Sequence, residues 1–199
     1  MSNVVVSNVN VYGMENSIVG SKYPMAVDIS VLTPELTDRC VSLAQCEKGT
    51  GHDNWLNGVI VQFDLTFTVK AWTEAERYHF LEFISSQSTM HRITKFDLDN
   101  SYIEYVDPRM IDIMKELVAN YNANKTRENY LKILYSNPCG FKLTAKMSTN
   151  YRQLKTIYAQ RKTHRLPEWR SFCSWIETLP LSHLITCEKE EANQSNGSV

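Results

Sequence analysis

The strictest alternation of side chains in the sequence runs from Val59 to Val69. Apolar residues occupy every second position there: Val59, Val61, Phe63, Leu65, Phe67 and Val69. A β-strand points successive side chains to opposite faces, so this period of two gives one apolar face and one largely polar face. Such a strand has to bury one side and can leave the other lining a site or facing water. The chain is therefore expected to fold around an amphipathic sheet.

Two further segments supply strands for that sheet. Residues 141–147 alternate in the same way, and residues 3–12 are rich in valine. Helical signals lie between the strands, beginning near Thr33, Thr73, Asp107, Arg127, Asn150 and Pro167. Residues 13–22 are expected to form a loop. At least three strands and five helices in mixed order indicate an α+β fold, in which a largely antiparallel sheet is flanked by helices.

Two of the helices allow more detailed predictions. The spacing of Thr73 and Glu76 is that of a capping box. The helix that it opens would carry a face formed by Ala75, Tyr78, Leu81 and Ile84. The helix that begins at Asp107-Pro108 would bury a stripe formed by Met110, Ile113, Met114, Leu117, Val118 and Tyr121.

Bulk composition limits the class of partner. The 199 residues, 43% of them hydrophobic, fit one domain, which is expected over residues 1–187. The net charge of −1 suggests neither nucleic acid nor a membrane as partner. No apolar run approaches the length of a membrane span. The polar stretch 188–199 is expected to be a disordered tail. Five scattered cysteines without a CxxC pair indicate free thiols in a cytoplasmic compartment, and the five histidines lack metal-binding spacing.

The junction at Asn150 is the first candidate site, because a strand there runs directly into a helix. A helix entrance offers free N–H groups and a partial positive charge, which suits a phosphate. On the helical wheel, Asn150 and Arg161 share one stripe, and Arg152 lies on the opposite side. The two arginines therefore do not clamp one phosphate. Either Arg152 is solvated and Arg161 forms a salt bridge, or the two serve different ligands or a neighbouring subunit.

The residues around this junction resemble the C-terminal signature of flavin-dependent thymidylate synthases. Those enzymes have a proline before a strand, then Asn-x-Arg-x-Leu, then an arginine nine residues after the first. Here the corresponding residues are Pro138, Asn150, Arg152, Leu154 and Arg161. Upstream segments agree in order with the same family: Gly51-His52, Phe67–Ala71 and Met90-His91-Arg92-Ile93, the last resembling the start of an Arg-His-Arg motif. Together the matches cover roughly residues 50–175.

This resemblance implies a homotetramer with an α+β fold, in which FAD and dUMP bind where subunits meet. The flavin takes a hydride from NADPH, and a methylene group passes from methylenetetrahydrofolate to the uracil ring. Carried over by position, His91 and Arg92 bind FAD, and Asn150 and Arg152 make further flavin contacts. Arg161 holds and polarises the dUMP pyrimidine, where a fixed cation would stabilise negative charge on the ring. A cytosolic enzyme of a bacterium or a phage-infected cell is expected.

The phosphate-binding part of the family motif is rewritten. Met90 replaces its first arginine, and its glutamate and last arginine have no equivalent. Ser101 takes the position of a family serine that helps bind the dUMP phosphate. Arg127 or Lys132 takes the position of a family arginine that contacts dUMP. Replacement charge is available at Lys95, Arg109 and Lys132. The alternative is a catalytically inactive family member that binds a nucleotide or a protein, and an unrelated α+β binding domain is a third interpretation.

Overall fold

The structure, a computed structural model, describes residues 5–47 and 49–187. Its sheet contains β1 (Val5–Tyr12), β2 (Ile60–Thr68), β3 (Glu82–Ser86) and β4 (Lys142–Asn150), in the spatial order β1-β2-β4-β3. All three pairs of neighbouring strands are antiparallel. The predicted α+β class with an antiparallel sheet is therefore confirmed. The predicted tail, 188–199, lies outside the described residues.

Helices surround this sheet. The α-helices are α1 (Met14–Ser21), α2 (Asp38–Ala44), α3 (Val69–Ala75), α4 (Thr89–Arg92), α5 (Pro108–Ala123), α6 (Arg127–Ser136), α7 (Tyr151–Arg161), α8 (Pro167–Ile176) and α9 (His183–Thr186). Short 3₁₀ helices are formed by Tyr23–Met25, Ile29–Val31, His52–Gly58 and Ile93–Lys95. Across the described ranges, no helix has both the length and the apolar character needed to cross a bilayer.

The main core lies between one face of the sheet and helices α7 and α8. The alternation in β2 has the predicted consequence, because Val61, Phe63, Leu65 and Phe67 are fully buried and the residues between them are partly exposed. Thr68, the last residue of the strand, is also buried. Aromatic pairs join β2 to α8, with ring centroids 5.8 Å apart for Phe63 and Phe172 and 4.9 Å for Phe67 and Trp169. Burying one such side chain contributes about 1.5–3 kcal/mol. This face fixes α7 against the sheet.

A second, smaller core lies beneath the α5–α6 hairpin at the first residues of β4. Its buried members are Ile93, Leu98, Tyr102, Met114, Ile133 and Phe141. Backbone contacts connect it to the sheet, because Tyr102 bridges to Phe141 and the Lys142 N–H donates to the Ser101 carbonyl at 2.7 Å. The segment that carries His91 to Ser101 is thereby held at one end of β4.

Two predictions in the first fifty residues are wrong. Residues 13–22 are not a loop, because α1 begins right after Gly13, which has a φ of 74° that reverses the chain. The side chains of Ser17 and Ile18 are buried on that helix. The next helix does not begin at Thr33. It begins at Asp38, because the Thr37 hydroxyl accepts the Cys40 N–H and caps it.

The prediction of a helix that begins at Thr73 is also wrong. The helix begins earlier, because the Thr68 hydroxyl accepts the Ala71 N–H at 3.1 Å and turns the end of β2 into α3. Residues 82–86 instead form the edge strand β3, paired with β4. Ile84, predicted to lie in the core, is 53% exposed.

The α5 stripe is confirmed only in part. The helix begins as predicted, with the Asp107 side chain accepting the Arg109 N–H at 3.0 Å. Of its six apolar residues, Met114 is buried and Met110 and Ile113 are 39% and 45% exposed. α6 packs against only one side of α5. The apolar stripe is wider than this contact, so part of the stripe stays exposed.

Candidate functional site

The predicted site residues lie at two ends of strand β4. Asn150 and Arg152 are at its carboxyl end, where α7 begins, and His91, Arg92 and Ser101 are near its first residues. A strand of nine residues is about 26 Å long. One protomer therefore does not bring these two groups of residues around a single small ligand.

Asn150 is the N-cap of α7. Its side chain accepts the Gln153 N–H at 2.8 Å, and the residue is 8% exposed. The predicted strand-to-helix junction is confirmed in its position. The flavin contact predicted for Asn150 stays a prediction, since the capping bond already occupies one lone pair of its side-chain oxygen.

Arg152 is ion-paired and reaches a cavity. Its Nε donates to Asp53 Oδ1 at 2.9 Å, and 35% of its side chain is exposed. The adjoining cavity of about 260 Å³ is lined by Asp53, Asn57, Phe80, Arg152, Gln153 and Thr156. The interpretation of Arg152 as simply solvated is therefore wrong, because one edge of its guanidinium is fixed by a buried carboxylate.

Sequence reasoning missed Asp53. Its side chain is 5% exposed and accepts from Lys155 Nζ at 3.0 Å as well as from Arg152. The adjacent Gly51-His52 pair was recognised, but no spacing rule connects Asp53 with a helix about a hundred residues later. The two cations that share it, Arg152 and Lys155, do lie three positions apart on α7, which puts them on neighbouring positions of one face.

Arg161 lies inside the protomer. Its Nε donates to the Tyr78 hydroxyl at 2.6 Å, and its Nη1 lies 3.0 Å from Glu74 Oε2 and 2.7 Å from His164 Nε2. The guanidinium carbon also lies 4.8 Å from the centre of the Trp169 ring, and 7% of the side chain is exposed. The salt bridge considered for Arg161 is thus present, and its role toward a pyrimidine stays a prediction.

The charges around Arg161 favour an ionised Glu74 and a neutral His164. Burial alone would raise the pKa of Glu74, but the Lys70 hydrogen bond and the charges of His164, Lys70 and Arg161 together bring it below its usual value of 4.5. Burial, followed by the nearby Arg161 charge, lowers the pKa of His164 from 6.5. The cluster therefore works as a buried ion pair with a neutral imidazole beside it at neutral pH.

A second cavity lies beside α4. It has a volume of about 400 Å³ and is lined by Gln87, Ser88, Arg92, Lys95, Phe96 and Asp97. Among the described residues, neither Arg92 nor Lys95 has a carboxylate partner. The Asp97 carboxylate accepts from the Asn100 side chain and the Asp99 N–H, and these bonds lower its pKa. The cavity therefore presents two cations that form no salt bridge in residues 5–47 and 49–187.

The remaining predicted residues have local partners or lie at the surface. Ser101 donates to the Asp97 carbonyl at 2.6 Å. Lys132 pairs with Glu128 at 2.9 Å, one turn away on α6, and Arg109 pairs with Asp107 at 2.6 Å. His91 is exposed on α4. Of the three lysine and arginine residues considered as replacement charge, Lys95 lines a cavity together with Arg92, another predicted site residue.

No metal centre is evident in residues 5–47 and 49–187, where no three His, Cys, Asp or Glu side chains are placed to hold an ion. A third cavity, of about 510 Å³, lies between α1 and the 3₁₀ helix His52–Gly58. Its wall includes His52 and Trp55, and the indole N–H of Trp55 is buried without a hydrogen-bond partner.

Two solved structures of the flavin-dependent thymidylate synthase ThyX from Helicobacter pylori, each with FAD and dUMP, match the chain with a TM-score of 0.68 and 13% sequence identity. The matches cover 92% and 93% of this chain and 97% and 96% of those chains. The chain has the fold of the flavin-dependent thymidylate synthases. The resemblance found in the sequence is thus confirmed at the level of the fold.

The same fold is shared with a related enzyme. The UMP/dUMP methylase PolB from Streptomyces cacaoi, bound with 5-Br UMP, matches with a TM-score of 0.62 and 12% identity, covering 89% of each chain. In sequence, no protein-family model and no curated protein matches. The chain therefore shares the flavin-dependent thymidylate synthase fold at low sequence identity. The roles of its individual residues stay predictions.

Proposed function

We propose that the chain is a flavin-dependent thymidylate synthase-like enzyme. It transfers a one-carbon group from methylenetetrahydrofolate to dUMP or a related pyrimidine nucleotide, and it uses FAD and NADPH. The observation that carries the proposal is the fold similarity over nine-tenths of the chain to enzymes solved with FAD and dUMP. The Asn150-x-Arg152 pattern at the start of α7 supports it independently, because it was found in the sequence alone.

The distribution of the basic residues supports a site built from more than one copy of the chain. Arg152 follows the last residue of β4, Arg92 lies near its first residues, and the strand is about 26 Å long. A second protomer that brings its own Arg92 to the Arg152 end would complete a site that uses both. We propose the homotetramer on this ground, in addition to the family resemblance.

The cavity beside α4 is proposed to receive phosphate oxygens. Arg92 and Lys95 line it, and neither charge is neutralised by a described carboxylate. Guanidinium and ammonium groups both bind phosphate, the first as a planar fork and the second as a point charge. Arg92 is a retained position of the family motif, and Lys95 supplies replacement charge for the phosphate-side residues that the sequence lacks. The phosphate comes either from FAD or from dUMP.

Residues of the chain would hold the flavin at the cavity beside α7. The guanidinium of Arg152 offers donors there, and Phe80, 60% exposed, offers an aromatic face to a flat ring. When bound, the flavin would supply the hydride chemistry. The protein's own groups would orient it and exclude water.

One observation favours a second candidate, a catalytically inactive nucleotide-binding or protein-interaction module. Arg161, which the resemblance places against the pyrimidine, is enclosed by Glu74, Tyr78 and Trp169. A guanidinium with these partners is less available to a substrate. A chain that retains the fold and binds the nucleotide without turnover would have this arrangement.

The deciding experiment is to purify the protein, record its absorbance spectrum with added FAD, and incubate it with dUMP, methylenetetrahydrofolate and NADPH. A flavin spectrum and a product heavier than dUMP by one CH₂ unit support the enzyme. Flavin or dUMP binding without product, under conditions where a characterised ThyX turns over, supports the inactive module. A protein that binds neither FAD nor dUMP contradicts the enzyme and the nucleotide-binding module.

The phosphate assignment is tested with Arg92→Ala and Lys95→Ala, and with Arg109→Ala as control. Each of the first two should weaken binding of the phosphate-bearing ligand about tenfold. Loss of FAD affinity alone would identify the flavin phosphate, and loss of dUMP affinity alone the nucleotide. Arg109 is 87% exposed and already paired, so its removal should change neither affinity. Equal affinities in all four proteins would contradict the assignment.

A further inference from the structure

Asp53 is a buried carboxylate with no place yet in the proposed chemistry. The residue is 4% exposed and lies on the 3₁₀ helix His52–Gly58, next to the start of α7. A carboxylate removed from water needs compensating charge and hydrogen bonds. It receives both from Arg152 and Lys155, one to each oxygen, at 2.9 and 3.0 Å.

Lys155 holds this carboxylate from the side away from the cavity. Its ammonium has three donors, and these meet the Ala44 carbonyl at 2.7 Å, the Cys46 carbonyl at 2.9 Å and Asp53 Oδ2. All three donors are used, and 13% of the side chain is exposed. Lys155 therefore ties the end of α2, the 3₁₀ helix and α7 together. Asp53 cannot turn away without breaking this arrangement.

Arg152 is bound differently from Lys155. Only its Nε is used by Asp53, whereas the guanidinium carries four more N–H groups on its two terminal nitrogens. Those nitrogens have no partner among the described residues, and the side chain lines the cavity of about 260 Å³. A free arginine would lose about 2 kcal/mol of rotamer entropy when a ligand fixed it. Because Asp53 already fixes the Nε end of the guanidinium, much of this rotamer entropy is lost on folding and not on ligand binding.

The charges on the wall of the cavity are balanced. Arg152 contributes one positive and Asp53 one negative charge, the other lining residues are neutral, and Lys155 adds a positive charge at the other oxygen of Asp53. Asn57, Gln153 and Thr156 add amide and hydroxyl groups beside the Phe80 ring. This combination suits part of a flat, acceptor-rich ligand such as the flavin.

We propose that Asp53 is a positioning residue whose buried carboxylate orients the Arg152 guanidinium so that its terminal nitrogens bind the flavin in this cavity. The inference rests on the proposed function, because it takes FAD as the occupant. Asp53 acts through Arg152 and does not itself touch the ligand.

The test is a double-mutant cycle of FAD affinity, measured by titration of flavin fluorescence. The proteins are wild type, Asp53→Asn, Arg152→Ala and the double variant. Asp53→Asn should weaken FAD binding about tenfold, since it removes the charge-assisted bond and turns an amide donor toward Lys155. The double variant should bind no more weakly than Arg152→Ala. In the turnover assay, Asp53→Asn should raise the FAD concentration that gives half of the maximal rate about tenfold.

Two further variants separate this role from a purely structural one. Asp64→Asn changes another paired carboxylate, which binds Lys146 on the sheet at 3.4 Å, and should leave FAD affinity unchanged. Arg152→Lys leaves Asp53 paired and the fold intact but removes the planar fork, and it should weaken FAD binding as Arg152→Ala does. It therefore remains informative where Asp53→Asn does not fold.

The outcomes distinguish this inference from the proposed function. Wild-type protein that takes up no FAD overturns both. Weaker binding by Arg152→Ala together with wild-type affinity in Asp53→Asn overturns the positioning role alone. The positioning role alone is also overturned if the losses of FAD affinity in the two single variants add up in the double variant. Wild-type FAD affinity in Arg152→Lys overturns it as well.

Discussion

The chain uses its basic residues in two different ways at the two ends of β4. On α7, Arg152 and Arg161 are each bound to a carboxylate that belongs to the same protomer, Asp53 and Glu74. Beside α4, Arg92 and Lys95 line a cavity and have no such partner within the described residues. We call these the paired region and the open region. Each arginine of the paired region has a carboxylate partner in its own protomer, whereas the cations of the open region are the ones proposed to bind a phosphate.

Burial explains the difference. Arg161 is 6% exposed, and an unpaired charge at that depth would cost several kcal/mol. Arg92 and Lys95 are exposed, so water solvates their charges when no anion is bound. The same residue type therefore stabilises the fold in one region and is available for binding in the other.

The largest expected effect is on Arg161. Arg161→Ala should lower the free energy of unfolding by about 3 kcal/mol, because it leaves Glu74 and Tyr78 buried without the guanidinium. Denaturant titration followed by circular dichroism measures this. Arg165→Ala, an exposed arginine four residues later, is the control and should stay within about 0.5 kcal/mol of wild type. Equal stabilities of the two variants would mean that the paired region does not support the fold.

A smaller effect is expected at Asn150. Asn150→Ala removes the cap from the Gln153 N–H and should cost about 1 kcal/mol in unfolding free energy. Asn150→Asp keeps an acceptor at the cap and should recover most of that stability. If both variants lose the same amount, the cap is not the reason for the residue, and another contact of its amide has to be sought.

The next effect concerns pH and is confined to the paired region. The pKa of His164 is lower in the folded protein than its usual 6.5, first because of burial and then because of Arg161. Folding therefore favours the neutral ring, and this stability is present above pH 6.5 and is lost as the pH falls below it. We expect thermal melts to show a fall in stability as the pH drops below 6.5 that His164→Gln reduces. An unchanged fall in the variant would assign the pH dependence to other groups.

The smallest expected effect is in the open region. Replacing Arg92 and Lys95 together by alanine should change the free energy of unfolding by less than about 0.5 kcal/mol, because neither side chain has an internal partner. The same denaturant titration measures it. A loss as large as that of Arg161→Ala would show that the open region is also structural and would remove the distinction between the two regions.

Local patterns account for the parts of the fold that were predicted correctly. The alternation in β2 and β4 depends only on which neighbours point to the same face, and one face proved to be buried. The starts of α5 and α7 depend on caps one to three residues away, at Asp107 and Asn150. The resemblance to flavin-dependent thymidylate synthases rests in part on the start of α7, at Asn150 and Arg152.

The errors occur where two local signals compete or where a surface is shared. Thr73 has a valid capping spacing, but Thr68 caps the helix first because β2 ends there. Residues 82–86 pair with β4, and that pairing outweighs the helical spacing of Ile84. The stripe on α5 is apolar throughout, but the second core takes up only part of it and leaves Met110 and Ile113 exposed.

The sequence by itself determined that α7 would follow a strand, begin at Asn150 and carry Arg152 and Arg161 on different faces. Only the tertiary structure decided what each arginine binds. Asp53 is 99 residues from Arg152, and Glu74 is 87 residues from Arg161. Caps and periodicity act within a few residues along the chain. Ion pairs depend on which segments the core brings together in space, and no local pattern in the sequence specifies that.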